Sequence, residues 1–494
     1  MKSVFLPLVA AALCAALALP VAGVAQSTPG SKIILPTPQP MPTSGTTPLP
    51  YPAYGTPAPD VANLHPKNGV PTSISIEQAT KIAVALSPVF ASQNAQWAAI
   101  HAKYTSEKQA LYPAVSANGT IGKGYQNGNV TLNNNVTIPS ATPIGAGISG
   151  NGSTSTETAA ITVQQLIFDG GRTIAAIHSA KSADYAGRET LLRDLQTLAL
   201  NVATTYYNVL QTTATVTADA QLVREFEVNE QSVVAQIRNG AAARSDLAGA
   251  QFQTAQARGN LVTAQGQAIA AQASFATTMG LDADAEVVPK ALRQQAPLAN
   301  PTYEQSLKRA FALRPDYLAA GYTVESDKEG LRYAKLARFP ILTAAASDEV
   351  SRDFGAITNS FSNQKAIGLN LAIPIYDQGV TNYNVAVAAA TLDQAVAALN
   401  QSHLQVESDV RSALANFISA RAALVQANSE LTAAKVSLDA TQAQYKVGAT
   451  TIINVVTAEA NLATAQAAQI TALYSVQNAE ENYLYATGLS DLQL

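Results

Sequence analysis

The chain has 494 residues and a net charge of −4, and charged side chains occupy only 13% of its positions. That share is about half of the usual one, and the basic residues form no patch, which argues against a nucleic-acid partner. Beyond the N-terminus no apolar run is long enough for a membrane helix. The composition therefore fits either a secreted helical protein or an outer-membrane protein that spans the bilayer with strands.

Residues 1–25 predict a cleavable export signal. Lys2 supplies its positive end and Val4–Leu19 its apolar stretch, and small residues follow, so the mature chain is expected to begin at Gln26. The only cysteine, Cys14, lies inside this signal, and no small residue precedes it, which argues against acylation. The mature chain is therefore expected to contain no disulfide and no cysteine metal site.

A proline-rich arm is predicted between the signal and the folded part of the chain. Residues 26–71 hold half of the 24 prolines, among Ser, Thr and Gly. This composition favours an extended, semi-rigid spacer that has no core of its own.

The rest of the chain is predicted to be two copies of one structural unit, at residues 72–285 and 286–494. Three positions return 227 residues later: Glu77 as Glu304, Leu86 as Leu313, and Pro113 as Pro340. Three more return 208 residues later: Asp169 as Asp377, Gly240 as Gly448, and Gly280 as Gly488. Constant offsets of this length indicate a duplicated domain rather than a solenoid. The two offsets differ by 19 residues because the first copy is that much longer between Pro113 and Asp169.

Each copy is predicted to begin with two helices. The first, Ile76–Leu86 or Tyr303–Leu313, is ended by a proline, and a longer helix follows at about 89–110 or 316–337. The dipeptides Tyr-Pro and Phe-Pro then end the longer helices and open strands.

Two strands of about ten residues are predicted in each copy. The clearest alternation places five aliphatic side chains on one face, with small or polar residues on the other: Ile367, Leu369, Leu371, Ile373 and Ile375. Such strands are long enough to cross a bilayer when tilted, although a soluble half-buried hairpin gives the same alternation. The polar segments 122–157 and 351–365 are predicted to be the loops between the strands.

Very long helices are predicted after Asp169 and Asp377. Their apolar residues recur about every 3.55 positions, between the coiled-coil period and that of a straight helix. Glycine turns at Gly240 and Gly448 reverse the chain, and returning helices are expected to run to about 279 and 487. At 1.5 Å per residue, a helix of about 60 residues is about 90 Å long, far longer than a compact domain needs.

The sequence contains no catalytic or metal-binding constellation. The four histidines, at 65, 101, 178 and 403, show no metal-ligand spacing, and His403 is predicted to pack on a helix stripe. The Gly-Gly pair at 170–171 lacks the lysine of a phosphate loop, and no Ser or Asp lies in a nucleophile motif. We therefore predict no enzyme activity, no cofactor and no metal.

Taken in order, several short motifs resemble the TolC-like outer-membrane efflux proteins. They are Glu-Gln-Ala before Leu-Ser-Pro, Tyr-Pro-Ala, Phe-Asp-Gly-Gly, Tyr-Asp-Gln-Gly, and Tyr-Lys-Val-Gly followed by Asn-Val-Val-Thr-Ala. The resemblance covers about residues 72–490. It implies a mostly α fold with a membrane β-barrel portion. In this fold a homotrimer shares one 12-stranded barrel in the outer membrane, and its long helices form a periplasmic tunnel.

The resemblance also implies a function and partners. The chain would be a passive export duct for small molecules or proteins, in a tripartite efflux or type I secretion system. It would work in outer-membrane lipid with a periplasmic adaptor and an inner-membrane pump of RND, ABC or MFS type. The alternative interpretation is a secreted or periplasmic long-helix structural protein or adhesin, which would not explain the aliphatic-faced strands.

A gate at the periplasmic end is implied by the same resemblance. In the family an Asp bonds a Tyr to keep this end closed, and the matching residues are Asp246 and Tyr445. A second family link joins a hydroxyl residue to an Arg. Ser245 matches its first partner, whereas Thr450 occupies the Arg position and Arg244 lies nearby.

The neighbouring positions complete the set of candidate site residues. The acidic ring of well-known members falls at Asn454 and Thr457, which are neutral. The turns at Gly240, Val447 and Gly448 are expected to contact the adaptor.

Overall fold

The structure is a computed structural model, and it describes residues 72–126, 152–240, 243–291, 301–354 and 359–489. The predicted signal at 1–25, the proline-rich arm at 26–71 and His65 lie outside the described residues. All statements below concern the described ranges.

The same series of elements occurs twice. The first is β1 (Thr72–Ile74), α1 (Ile76–Leu86), α2 (Pro88–Gln109), β2 (Ala114–Gln126), β3 (Gly152–Phe168), α3 (Arg172–Arg238) and α4 (Arg244–Thr278). The second is β4 (Val287–Pro289), α5 (Tyr303–Leu313), α6 (Pro315–Leu336), β5 (Ile341–Phe354), β6 (Asn359–Ala372), α7 (Val380–Lys446) and α8 (Ile452–Ala486). Equivalent helices have equal lengths, of 11, 22, 67 and 35 residues.

The helices begin where the sequence provides suitable caps. Ser75 and Gln78 form a reciprocal capping box at α1, with bonds of 3.3 and 3.0 Å. Pro88 and Pro315 stand in the first turn of α2 and α6, where a missing N–H costs nothing. The 67-residue helices are about 100 Å long at 1.5 Å per residue.

The aspartates of the two Asp-Gly motifs hold the starts of α3 and α7. Asp169 accepts hydrogen bonds from the N–H groups of Gly171 (2.9 Å) and Thr173 (2.6 Å). Asp377 accepts the same two bonds at 3.1 and 2.7 Å. The glycine before each helix has φ of +87°, which favours glycine, so the motif is a strand-to-helix turn rather than a ligand loop.

In each copy, the glycine that follows the returning helix packs against the end of the short first helix. Gly280 has φ of +80°, and a Cβ added there would lie 2.6 Å from the carbonyl oxygen of Leu86. Gly488 has φ of +75°, and its added Cβ would lie 2.7 Å from the carbonyl carbon of Leu313. Both copies therefore need a glycine after the returning helix, because the short first helix ends against it.

The larger sheet is antiparallel, in the order β2-β3-β5-β6, and β1 pairs with β4 in a separate parallel pair. The strands of the four-stranded sheet are 13 to 17 residues long, so the prediction of about ten residues was too short. The predicted loops at 122–157 and 351–365 were wrong at their ends, since β2 reaches Gln126 and β6 begins at Asn359. Backbone pairing continues there although the side chains are polar.

At its other end, β6 is shorter than predicted. It stops at Ala372, so Ile373 and Ile375 lie after the strand. Pro374 has no N–H to donate to the ladder, and this explains why pairing ends before it.

Small aromatic-rich cores hold the short helices on the long ones. In the first copy Tyr206 packs edge-on to Phe275, with 5.7 Å between ring centroids, and its hydroxyl donates to the carbonyl of Lys290 at 2.7 Å. In the second copy Phe417 stacks on Tyr483 at 5.9 Å. His403 stacks on Phe311 at 4.4 Å, which confirms that it packs on the helix stripe.

A buried ion network joins the two copies. Arg314, whose side chain is 3% exposed, donates to Asp409 at 2.9 Å and to Asp316 at 2.6 Å. Arg193 of α3 lies 3.7 Å from Asp316 and stacks over the ring of Tyr485. Burial opposes ionisation of Asp316, but Arg314, the charge of Arg193 and the N–H of Tyr317 together outweigh it, so the pKa of Asp316 lies below its ordinary value.

Candidate functional site

One face of the four-stranded sheet is apolar and is not covered by the rest of the described chain. Cross-strand partners in an antiparallel sheet share a face, so Val115, Val163, Ala346 and Ile367 lie side by side on it. Ile367, Leu369 and Leu371 are 92%, 72% and 58% exposed. An exposed aliphatic band of this extent needs an apolar partner, since isolated soluble chains rarely leave one open.

The opposite face of the same sheet is mostly small or polar, with Leu166 and Ile341 as exceptions near one end. Asn370 pairs with Thr343, and Ser116 pairs with Thr162. The two faces therefore differ as the inside and outside of a membrane barrel differ.

Charged residues border the apolar band towards the hairpin ends of the strands. Lys365 lies 3.3 Å from Asp348 on the neighbouring strand, one step beyond Ile367 on the same face. Further along, Arg352 stands opposite Glu157 and lies over the ring of Phe361, 5.6 Å from its centroid. Charged side chains thus mix with exposed apolar ones such as Ile121 and Phe361 at this end of the face, as expected where a membrane meets water.

The turns between the long helices lie at the other end of these helices. Gly240 and Gly448 have φ of +72° and +74°, which lets the chain leave each helix in a left-handed step. Val447 is 78% exposed, so this turn presents an apolar side chain to the surroundings.

Asp246 serves as the first-turn cap of α4. Its Oδ2 accepts a 3.1 Å bond from the N–H of Ala243, and its Oδ1 accepts a 3.4 Å bond from the hydroxyl of Ser245. Ser245 and Arg244 are both exposed. Among the predicted gate residues, the structure thus brings Ser245 and Asp246 together.

Tyr445 links the ends of the two longest helices. Its hydroxyl donates a 2.9 Å bond to Oε1 of Gln236 on α3. Burial and, to a smaller extent, the negative charge of Asp246 raise the pKa of Tyr445. The hydroxyl bond that the structure gives Tyr445 goes to Gln236, and sequence matching did not identify this partner.

The other predicted gate residues make hydrogen bonds within α8 or to the residues just before it. The amide of Asn454 donates to the hydroxyl of Thr450 at 2.8 Å, and Thr457 donates to the carbonyl of Ile453 at 2.9 Å. Asn454 and Thr457 are both exposed, and neither position provides a charge.

Comparison with known proteins gives the family. The sequence pattern described as outer membrane efflux protein matches residues 80–281 and 306–489, which is more than half of the chain. The chain belongs to the outer membrane efflux protein family. It is accordingly a protein of the outer membrane with a large periplasmic portion, and its family and fold are those of channels.

Named relatives and solved structures agree with this assignment. The efflux protein is 25% identical over 333 residues to the outer membrane efflux protein BepC of Brucella suis biovar 1 (strain 1330), covering 67% of this chain and 72% of that one. It is 27% identical over 350 residues to the outer membrane protein TolC of Escherichia coli (strain K12), covering 68% of each.

The fold is shared with solved channels. The CmeC outer membrane channel of Campylobacter jejuni superposes with a TM-score of 0.70 at 15% identity, covering 84% of this chain and 85% of that one. VceC of Vibrio cholerae gives a TM-score of 0.68 at 17% identity, covering 84% and 96%.

Within the described ranges, this efflux protein has no group of three or more His, Cys, Asp or Glu side chains that could hold a metal ion. Within the same ranges, each helix is too short or too polar to cross a membrane.

A buried carboxyl near the turns was missed by the sequence reasoning. Glu459 of α8 is 8% exposed, and its Oε2 has no hydrogen-bond partner. Burial, with a smaller effect of Glu225 on α3, raises its pKa to about 7. The signal was its spacing, since Glu459 lies four residues after buried Val455 and three before buried Leu462.

Proposed function

We propose that this efflux protein is the passive outer-membrane duct of a tripartite efflux or type I secretion system. The observation that supports this function best is the four-stranded sheet, with an exposed apolar face and two edge strands, β2 and β6, left unpaired. Strands in a bilayer must have every backbone group paired, and four strands are too few to close a barrel. Other copies of the chain must therefore complete it.

Three copies would close a barrel of twelve strands. The four long helices α3, α4, α7 and α8 support the same assembly. They pack in the order α4, α3, α8, α7, so α4 and α7 lie at the two edges of this row. The outer side of α4 exposes Phe252, Val262 and Ile269. Between them Gly259 and Gly266 have open space beside them. Such a seam of apolar knobs and glycine gaps fits a neighbouring helix.

The matching edge of the next copy would be α7. A shallow groove along it is lined by small and apolar side chains: Val425, Asn428, Ser429, Thr432, Ala433, Val436, Ser437 and Ala440. Val425 and Val436 are 68% and 64% exposed. Contact between α4 of one copy and α7 of the next would close a ring of helices that continues the barrel into the periplasm.

Assembly gives the first test. Protein extracted from membranes in mild detergent is expected to have about three times the monomer mass by native mass spectrometry, because only whole copies can pair the strand edges. A stable monomer in the soluble periplasmic fraction would contradict the proposal. The variant Val262→Glu places a charge in the α4 seam and should weaken the trimer, whereas Lys328→Glu on the exposed surface of α6 should not.

The wider assembly belongs to the same proposal. The chain would be exported by the signal at 1–25, keep residues 26–71 as an arm, and use the units 72–285 and 286–494 as the two halves of each protomer. The exposed turns at Gly240, Val447 and Gly448 would meet a periplasmic adaptor, which in turn would join an inner-membrane pump.

The turns would also form the gate, and this gives the second test. The bond from Tyr445 to Gln236 ties the ends of α7 and α3 in one protomer, and the carboxylate of Asp246, which caps α4, acts on the phenol through its charge. A neutral hydrogen bond contributes about 0.5–1.5 kcal/mol, and three protomers would repeat it. The double variant Asp246→Ala, Tyr445→Phe is therefore expected to conduct well above the parent in single-channel recordings.

A matched control separates the gate from helix stability. Thr464→Ala removes an exposed hydroxyl that bonds only within α8, to the carbonyl of Ala460, and it should leave the conductance unchanged. If the double variant conducts like the parent, these residues do not hold the tunnel narrow, and the gate proposal is wrong.

A further inference from the structure

The buried carboxyl of Glu459 has no role in the duct as proposed. It lies in the second turn of α8, between the Val455 and Leu462 positions that pack this helix, and its Oε2 is enclosed without a donor. A buried polar atom without a partner destabilises the packed state, so such a group needs an explanation. The turn between α7 and α8, where the gate is proposed, lies about two helical turns before Glu459 along the chain.

The packing around Glu459 joins three of the long helices. On one side Ala458 and Leu462 pack with Leu438 of α7. On the other side Ala463 packs against the α3 cluster of Leu222, Val223 and Phe226. Movement of α8 at this level would therefore change its contact with α3, the helix to which Tyr445 is also bonded.

The charged groups around this carboxyl favour its protonated form. From α3 the group that acts on it is Glu225, a second carboxylate, which accepts a 3.1 Å bond from Gln221. The nearby Glu227 of α3 is paired with Arg258 of α4 at 2.8 Å. On α7, Lys435 and Asp439 flank Leu438 and are exposed, and neither contributes to the shift of Glu459.

We propose that Glu459 is a proton-dependent switch that sets how tightly α8 packs on α3 beside the gate. With its proton, the carboxyl is neutral and can stay buried against α3. Without it, the charge requires water and is repelled by Glu225, so α8 separates from α3 and the tunnel end widens. This inference rests on the proposed duct function.

The sign of the pH dependence follows from the burial. The packed arrangement raises the pKa to about 7, so the packed form is favoured at low pH and loses its advantage as the pH rises towards that value. The separated form ionises near the ordinary value of 4.5, so the advantage of the packed form falls between that value and about 7 and is constant above it. Conductance is therefore expected to rise between about pH 4.5 and about pH 7 and to change little at higher pH.

Single-channel recording of four proteins tests the switch. The parent should show the pH-dependent rise, and Glu459→Gln should conduct at the low-pH level throughout. Glu225→Gln should keep the rise but move its midpoint to lower pH, because the repelling charge is gone. The control Glu430→Gln, at an exposed carboxylate on α7, should behave like the parent. Retention of the parental midpoint in Glu459→Gln would overturn the proposal.

A second measurement is independent of conduction. Nitroxide labels can be attached at Val228→Cys of α3 and Ala460→Cys of α8, because both positions are exposed. In detergent, the distance between the two labels of one protomer reports how far α8 lies from α3. That distance should lengthen with pH in the Glu459 protein and stay constant with Glu459→Gln. A channel that conducts without either pH effect refutes the switch alone, whereas labelled protein that switches without conducting refutes the duct alone.

Discussion

If Leu371 faces lipid near mid-bilayer, replacing it by arginine is expected to cost roughly 2–4 kcal/mol per chain and to reduce assembly in the outer membrane. Leu371 pairs with Leu342 across β6 and β5, and both lie on the apolar face of the sheet. Its side chain is 58% exposed in the isolated chain, so lipid is its expected neighbour. An arginine there would bring a charge into the hydrocarbon region, and each of the copies would suffer the same penalty.

The adjacent residue provides the control. Asn370 pairs with Thr343 on the opposite, polar face, so Asn370→Arg should be tolerated far better. The measurement is the amount of heat-resistant oligomer recovered from outer membranes for each variant at equal expression. Equal losses at both positions would show that the assignment of the two faces is wrong.

The helices could be predicted closely because their ends have local chemical causes. Ile76–Leu86 and Tyr303–Leu313 were predicted with the bounds that the structure shows, and α2 and α6 differ from prediction by one residue. Pro88 and Pro315 fix where the second helices begin, since proline is accepted in a first helical turn. Equal lengths in the two copies also agree with the repeat offsets.

The strands were predicted less well because pairing depends on the neighbouring strand. Alternation identified the apolar part of β6 at 367–371, where one face is aliphatic. Polar ends such as 359–365 have no such signal, and the ladder to β5 alone keeps them extended. In the same way, Ile375 continues the alternation in sequence although Pro374 has already ended the strand.

The site residues show a similar limit. Family matching located Asp246 and Tyr445 at neighbouring turns, but the partner of the Tyr445 hydroxyl, Gln236, lies 209 positions earlier in the chain. A contact of that kind depends on how α3 and α7 come together, which no local pattern encodes. Glu459 could have been found, because a carboxylate stood within an apolar helix face, but only packing against α3 shows that it is buried.

The two copies differ at one position whose role only the structure reveals. Arg314 replaces Ser87 at the equivalent position before a helix-opening proline. Ser87 simply caps α2 through the N–H of Phe90. Arg314 instead reaches Asp316 and Asp409, and through Arg193 the network touches the first copy. The second copy thus has a link between the two halves where the first copy has a helix cap.

Removing that link should have a large effect on stability. Arg314→Met keeps an unbranched apolar stem but leaves Asp316 and Asp409 without their shared cation. Breaking a buried pair costs about 3–5 kcal/mol, and the partial exposure of both aspartates places the expected loss near the lower end. The midpoint of chemical unfolding of the detergent-solubilised protein should therefore fall clearly. The control Lys328→Met breaks an exposed pair with Glu325 and should cost less than about 1 kcal/mol.

The pH dependence of the same variant tests the cause of the loss. The pKa of Asp316 is lowered in the folded protein, so its contribution is fully present above the unfolded value of about 3.9 and is lost as the pH falls through the folded one. The parent should therefore lose stability on acidification below about pH 4, whereas Arg314→Met, already without this contribution, should lose less. The difference between the two proteins should shrink at low pH. A difference that stays constant would show that Arg314 acts through packing of its aliphatic stem and not through its charge.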